Sequence, residues 1–160
     1  MSARTQAEEV LKRLPDGPVV GVEVGVYRGA MSRVLLQRPG LVLYMVDNWL
    51  PFRHIREDDQ EENYRKALEV GGVVIRANSV DAAKAFADGE LDFVFIDADH
   101  SYKNVKADIE AWGPKVKPGG LLCGHDYANP NDPNGMDVKR AVDEIGPVEL
   151  GLDSTWFYRK

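Results

Sequence analysis

Two short stretches place titratable side chains where chemistry is commonly done. Asp97-Ala98-Asp99-His100-Ser101-Tyr102 follows one apolar run, and Gly124-His125-Asp126-Tyr127 follows another. If both runs are buried parallel strands, both clusters emerge at strand carboxyl ends, and on neighbouring strands they share one mouth. Asp97, His125 and Asp126 can then converge on a divalent cation through carboxylate and imidazole donors. His100 or His125 can instead act as a general base. Capping of the next helix or loop explains any single one of these residues about as well, but explains the two clusters together poorly.

A third stretch has the character of a ligand turn. Glu23-Val24-Gly25-Val26-Tyr27-Arg28-Gly29 follows a β-branched run, with a further glycine at Gly21. Glycine there lets backbone approach a ligand and opens a helix amino end. The spacing is not the G-x-G-x-x-G of dinucleotide sites. Glu23 would repel a pyrophosphate and suits a cationic group such as an amino-acid ammonium. A tight turn beside a half-exposed glutamate is the plain alternative. Asp47, closing the second apolar run, suits the two hydroxyls of a ribose or a turn cap. Trp49 can stack on a purine or simply pack. Asn78-Ser79 can meet an adenine edge, and Ser79 equally suits the N-cap of the next helix.

The elements that must hold these residues alternate. Thr5 to Leu14 reads as a helix with Ala7, Val10, Leu11 and Leu14 on one face. Strands are expected at Val19–Val24, Leu41–Val46, Val73–Arg76, Leu91–Ile96 and Leu121–Gly124, the last entered through a Pro118-Gly119-Gly120 turn. Helices are expected from about Gly29 to Gln37, from the end of a polar stretch Asp47–Glu62 to near Val70, and over Val80–Phe86, Tyr102–Trp112 and Met136–Ile145. Val148–Leu150 and Thr155–Tyr158 close the chain as a hairpin. Alternation implies a parallel sheet covered on both faces, and the hairpin adds an antiparallel strand. The fold class is therefore α/β, a Rossmann-like seven-stranded mixed sheet.

Length and composition agree with this. The 160 residues suit one domain over 1–160, with the N-terminal helix inside 1–14. A net charge of −6 argues against nucleic acid or anionic lipid as partner, and no apolar run is long enough to span a membrane. The single cysteine, Cys123, lies in an apolar run and reads as a small core residue in a cytoplasmic, reducing setting. The apolar Trp49-Leu50-Pro51-Phe52 suits a pocket wall, a lid or a homo-oligomer contact.

Taken together, Val22-Glu23-Val24-Gly25-Val26-Tyr27-Arg28-Gly29, Tyr44-Met45-Val46-Asp47, Phe95-Ile96-Asp97-Ala98-Asp99-His100-Ser101-Tyr102 and Lys117-Pro118-Gly119-Gly120-Leu121-Leu122 through His125-Asp126-Tyr127 give the chain a family likeness. Over nearly its full length it resembles the class I S-adenosylmethionine-dependent methyltransferases, in a small subgroup related to the metal-dependent O-methyltransferases. The resemblance implies cofactor contacts from Glu23, Gly25, Tyr27, Gly29, Asp47, Asn48, Trp49, Ser79 and Asp97. Glu23 and Gly25 would meet the methionine end, Asp47 the ribose and Ser79 the adenine region. In relatives such as catechol O-methyltransferase, an acid after the fourth strand and an acid-amide or acid-acid pair after the fifth hold magnesium. Asp97 matches the first, and His125-Asp126 stands at the pair. The histidine is a departure that favours zinc, manganese or iron, or no metal.

The function this implies is methyl transfer from S-adenosylmethionine to a small-molecule acceptor, expected to be a hydroxyl, with Asp97, His100, His125 and Asp126 as catalytic candidates and a divalent metal as an optional partner. The alternatives are a binding protein without transfer and an enzyme that cleaves S-adenosylmethionine. Acceptor contacts are expected from Leu50–Asp59, from Tyr127–Gly135 or from a partner subunit.

Overall fold

Continuous apolar runs with β-branched residues become the two-sided centre of a sheet. A computed structural model describes residues 3–51 and 55–160. The strands are β1 (Val19–Val24), β2 (Leu41–Asp47), β3 (Val73–Arg76), β4 (Leu91–Ile96), β5 (Val116–Gly124), β6 (Glu149–Leu150) and β7 (Trp156–Arg159). They form one seven-stranded sheet in the order β3-β2-β1-β4-β5-β7-β6. β1 through β5 pair in parallel, and β7 runs antiparallel to both β5 and β6. The order reverses between β1 and β4, which is where an open α/β sheet leaves a crevice at its strand carboxyl ends.

The period of two sorts side chains to two cores. Val94, Ile96, Leu122 and Trp156 face one side, packed by α4 (Ser79–Ala83), α5 (Tyr102–Trp112) and α6 (Gly135–Asp143). Phe93, Phe95, Leu121, Cys123 and Phe157 face the other, packed by α1 (Ala3–Leu11), α2 (Ala30–Leu35) and α3 (Glu57–Leu68). Asp92, the one acid of β4, belongs there because its Oδ2 accepts the Val20 N–H at 2.8 Å and its Oδ1 accepts Lys117 Nζ at 2.9 Å.

Several elements differ from their expected extent: α2 stops at Leu35 rather than Gln37, α4 at Ala83 rather than Phe86 and α6 at Asp143 rather than Ile145, and three further differences shape the chain's path. α1 ends at Leu11 rather than Leu14, and residues 1–2 of the expected N-terminal segment lie outside the described residues. α3 begins at Glu57, inside the stretch expected to be a connection; its first turn, Glu57-Asp58-Asp59, carries acids that suit a helix amino end. β5 begins at Val116, so Pro118-Gly119-Gly120 is not a turn into the strand but a bulge within it. The register slips between Leu91 and Phe93, Gly119 takes φ +79°, and its N–H donates to Lys160 O at 2.7 Å.

α1 is fastened to the far end of the chain. The buried Glu9 accepts from Lys12 Nζ at 2.9 Å, Arg13 Nη1 at 3.2 Å and Leu152 N at 3.4 Å. Arg13 also bridges to Glu149 and lies 3.9 Å over the Phe157 ring. This clasp fixes how α1 sits beside the crevice.

Candidate functional site

The turn after β1 is held by a carboxylate. Asp47 Oδ2 accepts the Val26 and Tyr27 N–H groups, each at 2.9 Å, and Oδ1 accepts Trp49 N at 2.9 Å. Tyr27 and Trp49 both take positive φ, and Trp49 Nε1 donates to Tyr27 O at 2.8 Å. Of the three glycines in this region, only Gly25 faces the crevice. Gly21 lies mid-strand, where a Cβ would sit 2.0 Å from the Phe93 ring, and Gly29 caps α2 with φ +74°.

Trp49 does not line the crevice. It is 1% exposed, belongs to the core beside Met45 and Phe93, and packs on Tyr64 with ring centroids 4.9 Å apart. Its ring is spent on the core because the chain leaving β2 turns back under Asp47, so it is not a purine platform. Leu50 and Pro51, next in sequence, do line the crevice, as does Ile55; residues 52–54 of the expected acceptor loop lie outside the described residues.

The crevice is a cavity of about 450 Å³ at the carboxyl ends of β1, β2 and β4. Its lining includes Glu23, Gly25, Tyr27, Asp47, Asn48, Ser79 and Asp97, so these expected contacts share one space. Among its described residues the lining has five acids (Glu23, Asp47, Asp97, Asp99 and Asp108) and no lysine, arginine or histidine. Such a lining favours a cationic ligand and opposes a pyrophosphate.

Glu23 is not half-exposed but 2% exposed. Burial, with Asp97 and Asp47 adding to it, pushes its carboxyl up to about 8 against the opposing hydrogen bond from Ser32 Oγ. At neutral pH the carboxyl is therefore held mostly in its neutral form. At the other end, Ser79 is not the N-cap of α4: Asn78 is, accepting Val80 N at 3.0 Å. Ser79 Oγ instead donates to Asp108 and accepts from Trp112 Nε1 at 2.9 Å. Burial lifts Asp108 to about 6, with the Ser79 hydrogen bond opposing.

The two clusters do meet. His100 Nε2 lies 3.2 Å from Asp97 Oδ1 and 3.3 Å from Asp126 Oδ2, and Nδ1 lies 2.8 Å from Asp132 Oδ2. His125 Nδ1 lies 3.0 Å from Asp126 Oδ2 and 3.8 Å from Asp97 Oδ1. Burial alone would depress both imidazoles, but their carboxylate partners outweigh it: Asp97 and Asp132 raise His100 to about 9, and Asp126 and Asp97 raise His125 to about 10. Burial would raise Asp97 and Asp126, yet the histidines, joined by Asn129 at Asp126, hold both below the usual carboxylate range.

The metal set differs from the expected one by one residue. Donor atoms of Asp97, His100 and Asp126 all lie within 4.8 Å of one another, so His100 takes the place given to His125. His125 stays beside the set, its Nδ1 against Asp126, while its Nε2 turns toward Asp153, 3.9 Å away, without a hydrogen bond. Two carboxylates and an imidazole are a donor set that suits a divalent transition metal better than magnesium. Cys123 is buried, donates to Val94 O at 3.3 Å and has its thiol pushed well up by burial, which makes it an inert core residue.

Sequence reasoning missed Gln6, Asp108 and Asp132. Asp108 had a signal, since it interrupts the Val105, Ile109 and Trp112 face of α5. Gln6 shares the buried face of Val10, one turn earlier. Asp132 reaches His100 from a loop whose path the sequence does not reveal.

Known structures share this architecture. An O-methyltransferase from Bacillus cereus, solved in complex with S-adenosylhomocysteine, is 18% identical with a TM-score of 0.66, covering 99% of this chain and 80% of that one. A TDP-rhamnose 3′-O-methyltransferase of calicheamicin biosynthesis is 14% identical with a TM-score of 0.67, covering 98% and 77%. Spermidine synthase from Thermotoga maritima is 14% identical with a TM-score of 0.63, covering 96% and 57%, so the fold alone does not name the reaction. No curated protein matches the chain in sequence. A family described as a methyltransferase domain does match, over residues 22–127. That span runs from β1 and its glycine turn to the His125-Asp126-Tyr127 cluster, and with the acid-lined crevice between them it places the chain in the methyltransferase-domain family.

Proposed function

We propose that this protein transfers a methyl group from S-adenosylmethionine to a hydroxyl of a small, non-anionic acceptor. One observation carries the reading: a single cavity with a buried neutral acid, Glu23, at one end and the Asp97–His100–Asp126 cluster beside it. The bound cofactor supplies a sulfonium, a positively charged leaving group that needs no further activation.

The chain's own residues do the rest. Glu23, once ionised, accepts hydrogen bonds from an ammonium, and Gly25 lets that group lie against the β1 turn. Asp47 shapes the turn and presents what remains of its acceptor capacity to a ribose, with Asn48 beside it. Ser79 and Asp108 receive the purine edge. Asp97 fixes His100 from one side and Asp132 from the other. His100 takes the hydroxyl proton when it enters neutral, and Asp126 steadies the imidazolium that results. His125 backs Asp126 from behind. Should a divalent cation be used, Asp97, His100 and Asp126 would hold it, and it would supply acidity to an acceptor hydroxyl.

The methyltransferase family supports the reaction class, and the O-methyltransferases among similar structures support a hydroxyl acceptor. The acidic lining supports an acceptor without carboxylate or phosphate, and the lone buried Cys123 fits a cytoplasmic setting. Isotope-labelled S-adenosylmethionine offered with a panel of catechols, sugars and alcohols tests the reading. Label should pass to at least one neutral hydroxyl compound, and His100→Ala should slow it by about 100-fold or more. Tight cofactor binding with no transfer to any acceptor would refute it.

A further inference from the structure

We propose that Gln6, on α1, binds the carboxylate of the aminoacyl group whose ammonium Glu23 accepts. The inference rests on the S-adenosylmethionine reading and adds to it a binding residue from outside the β1-to-β5 unit.

Gln6 is 8% exposed, and what it exposes lines the cavity. Its side-chain amide makes no hydrogen bond among the described residues. The amide therefore keeps its donors free toward the cavity, where a ligand group can take them. Glutamine also sits on the otherwise buried face of α1 with Ala7 and Val10, so its polar end is turned to the cavity rather than to bulk solvent.

The position sets the partner. α1 and α2 pack on the same sheet face, and Ser32 of α2 is the residue that holds Glu23. An aminoacyl group seated at Glu23 carries a carboxylate on the same carbon as its ammonium. That carboxylate needs an N–H donor, and the described lining has no lysine or arginine to give one. The other amide near this wall, Gln60, is committed, donating to Leu50 O at 2.7 Å and accepting from Asn63 at 3.1 Å. Asn78 caps α4 at the opposite end. Asn48 Oδ1 accepts Leu50 N at 3.0 Å at the β2 end, and Asn104 hydrogen-bonds Asp99. Among the described residues Gln6 is the lining amide without a side-chain partner, and the Glu9–Arg13 clasp one turn later keeps it in place.

Calorimetric titration of the intact protein with S-adenosylhomocysteine and with its decarboxylated counterpart, which keeps the amine, isolates the contact. Gln6→Leu should weaken S-adenosylhomocysteine by about 10- to 100-fold and the decarboxylated ligand by about two-fold or less. Gln6→Glu, which places a negative charge against the carboxylate, should reverse the preference so that the decarboxylated ligand binds more tightly. Equal losses for both ligands in both variants would show a structural role and overturn the proposal, as would no loss for either. If the unaltered protein binds neither ligand, the cofactor reading itself falls, a result told apart by needing no variant.

Discussion

A Cβ on Gly25 would sit 2.1 Å from the backbone carbonyl oxygen of Asp97. The turn after β1 and the end of β4 therefore touch through backbone, and the glycine is a consequence of that approach as much as of its φ of +89°. Gly25→Ala must both strain its own backbone and push Asp97 away. We expect a loss of about 3 kcal/mol or more in denaturant unfolding, together with loss of cofactor binding. A variant that unfolds like the parent would show that β4 can move aside.

Glu23 couples ligand to proton. With its carboxyl near 8, it is largely protonated at neutral pH, and an ammonium binds the ionised form. S-Adenosylhomocysteine affinity should rise by up to about tenfold per pH unit from about pH 6 to about pH 8, with close to one proton released per ligand in calorimetry across buffers. The unliganded protein obeys the opposite trend: its native state holds this proton more tightly than the unfolded chain, so Glu23 costs stability progressively as pH rises from 4.5 to about 8. Glu23→Gln should remove that pH dependence while abolishing most binding. Equal affinity at the two ends of the range would remove Glu23 from the ligand.

His100, held near 9, starts as an imidazolium at neutral pH. Without added metal, the methyl-transfer rate should climb as pH rises toward about 9. Manganese or zinc must displace the same proton from among Asp97, His100 and Asp126, and should move the climb to lower pH; chelation should move it back. A rate indifferent to both pH and chelator would leave the cluster without a catalytic part.

Asp47 accepts three backbone N–H groups and should behave as a structural residue before it behaves as a ligand. Asp47→Ala is expected to cost about 2–4 kcal/mol in chemical denaturation, well beyond what losing a ribose contact would do to an empty protein. An unchanged midpoint would return Asp47 to the ligand alone.

The sheet was legible because its signals are local. Alternation of apolar runs with helical spacing sets parallel order, and Gly151-Leu152-Asp153-Ser154 is too short for anything but a hairpin. The same locality explains the errors. Pro118-Gly119-Gly120 has the residues of a turn, but Val116 finds Leu91 beside it and pairs before the bulge. Trp49 has the residue type of a purine platform, yet its orientation depends on Tyr27 and Tyr64, distant in sequence. His100 displaced His125 in the donor set for a similar reason: the folded loop brings Asp132 in to orient His100, while His125 keeps Nδ1 on Asp126 and aims Nε2 at Asp153.

The clasp on α1 has a bearing on how the chain is made. Glu9 and Arg13 leave the ribosome early, whereas Glu149, Leu152 and Phe157 follow more than 130 residues later. Until those last strands emerge, the helix carrying Gln6 lacks its anchor and the cavity lacks a wall. A nascent chain exposed to the ligand would be unable to grip it, so ligand retention on stalled chains of increasing length would serve as a timer for the final step of assembly.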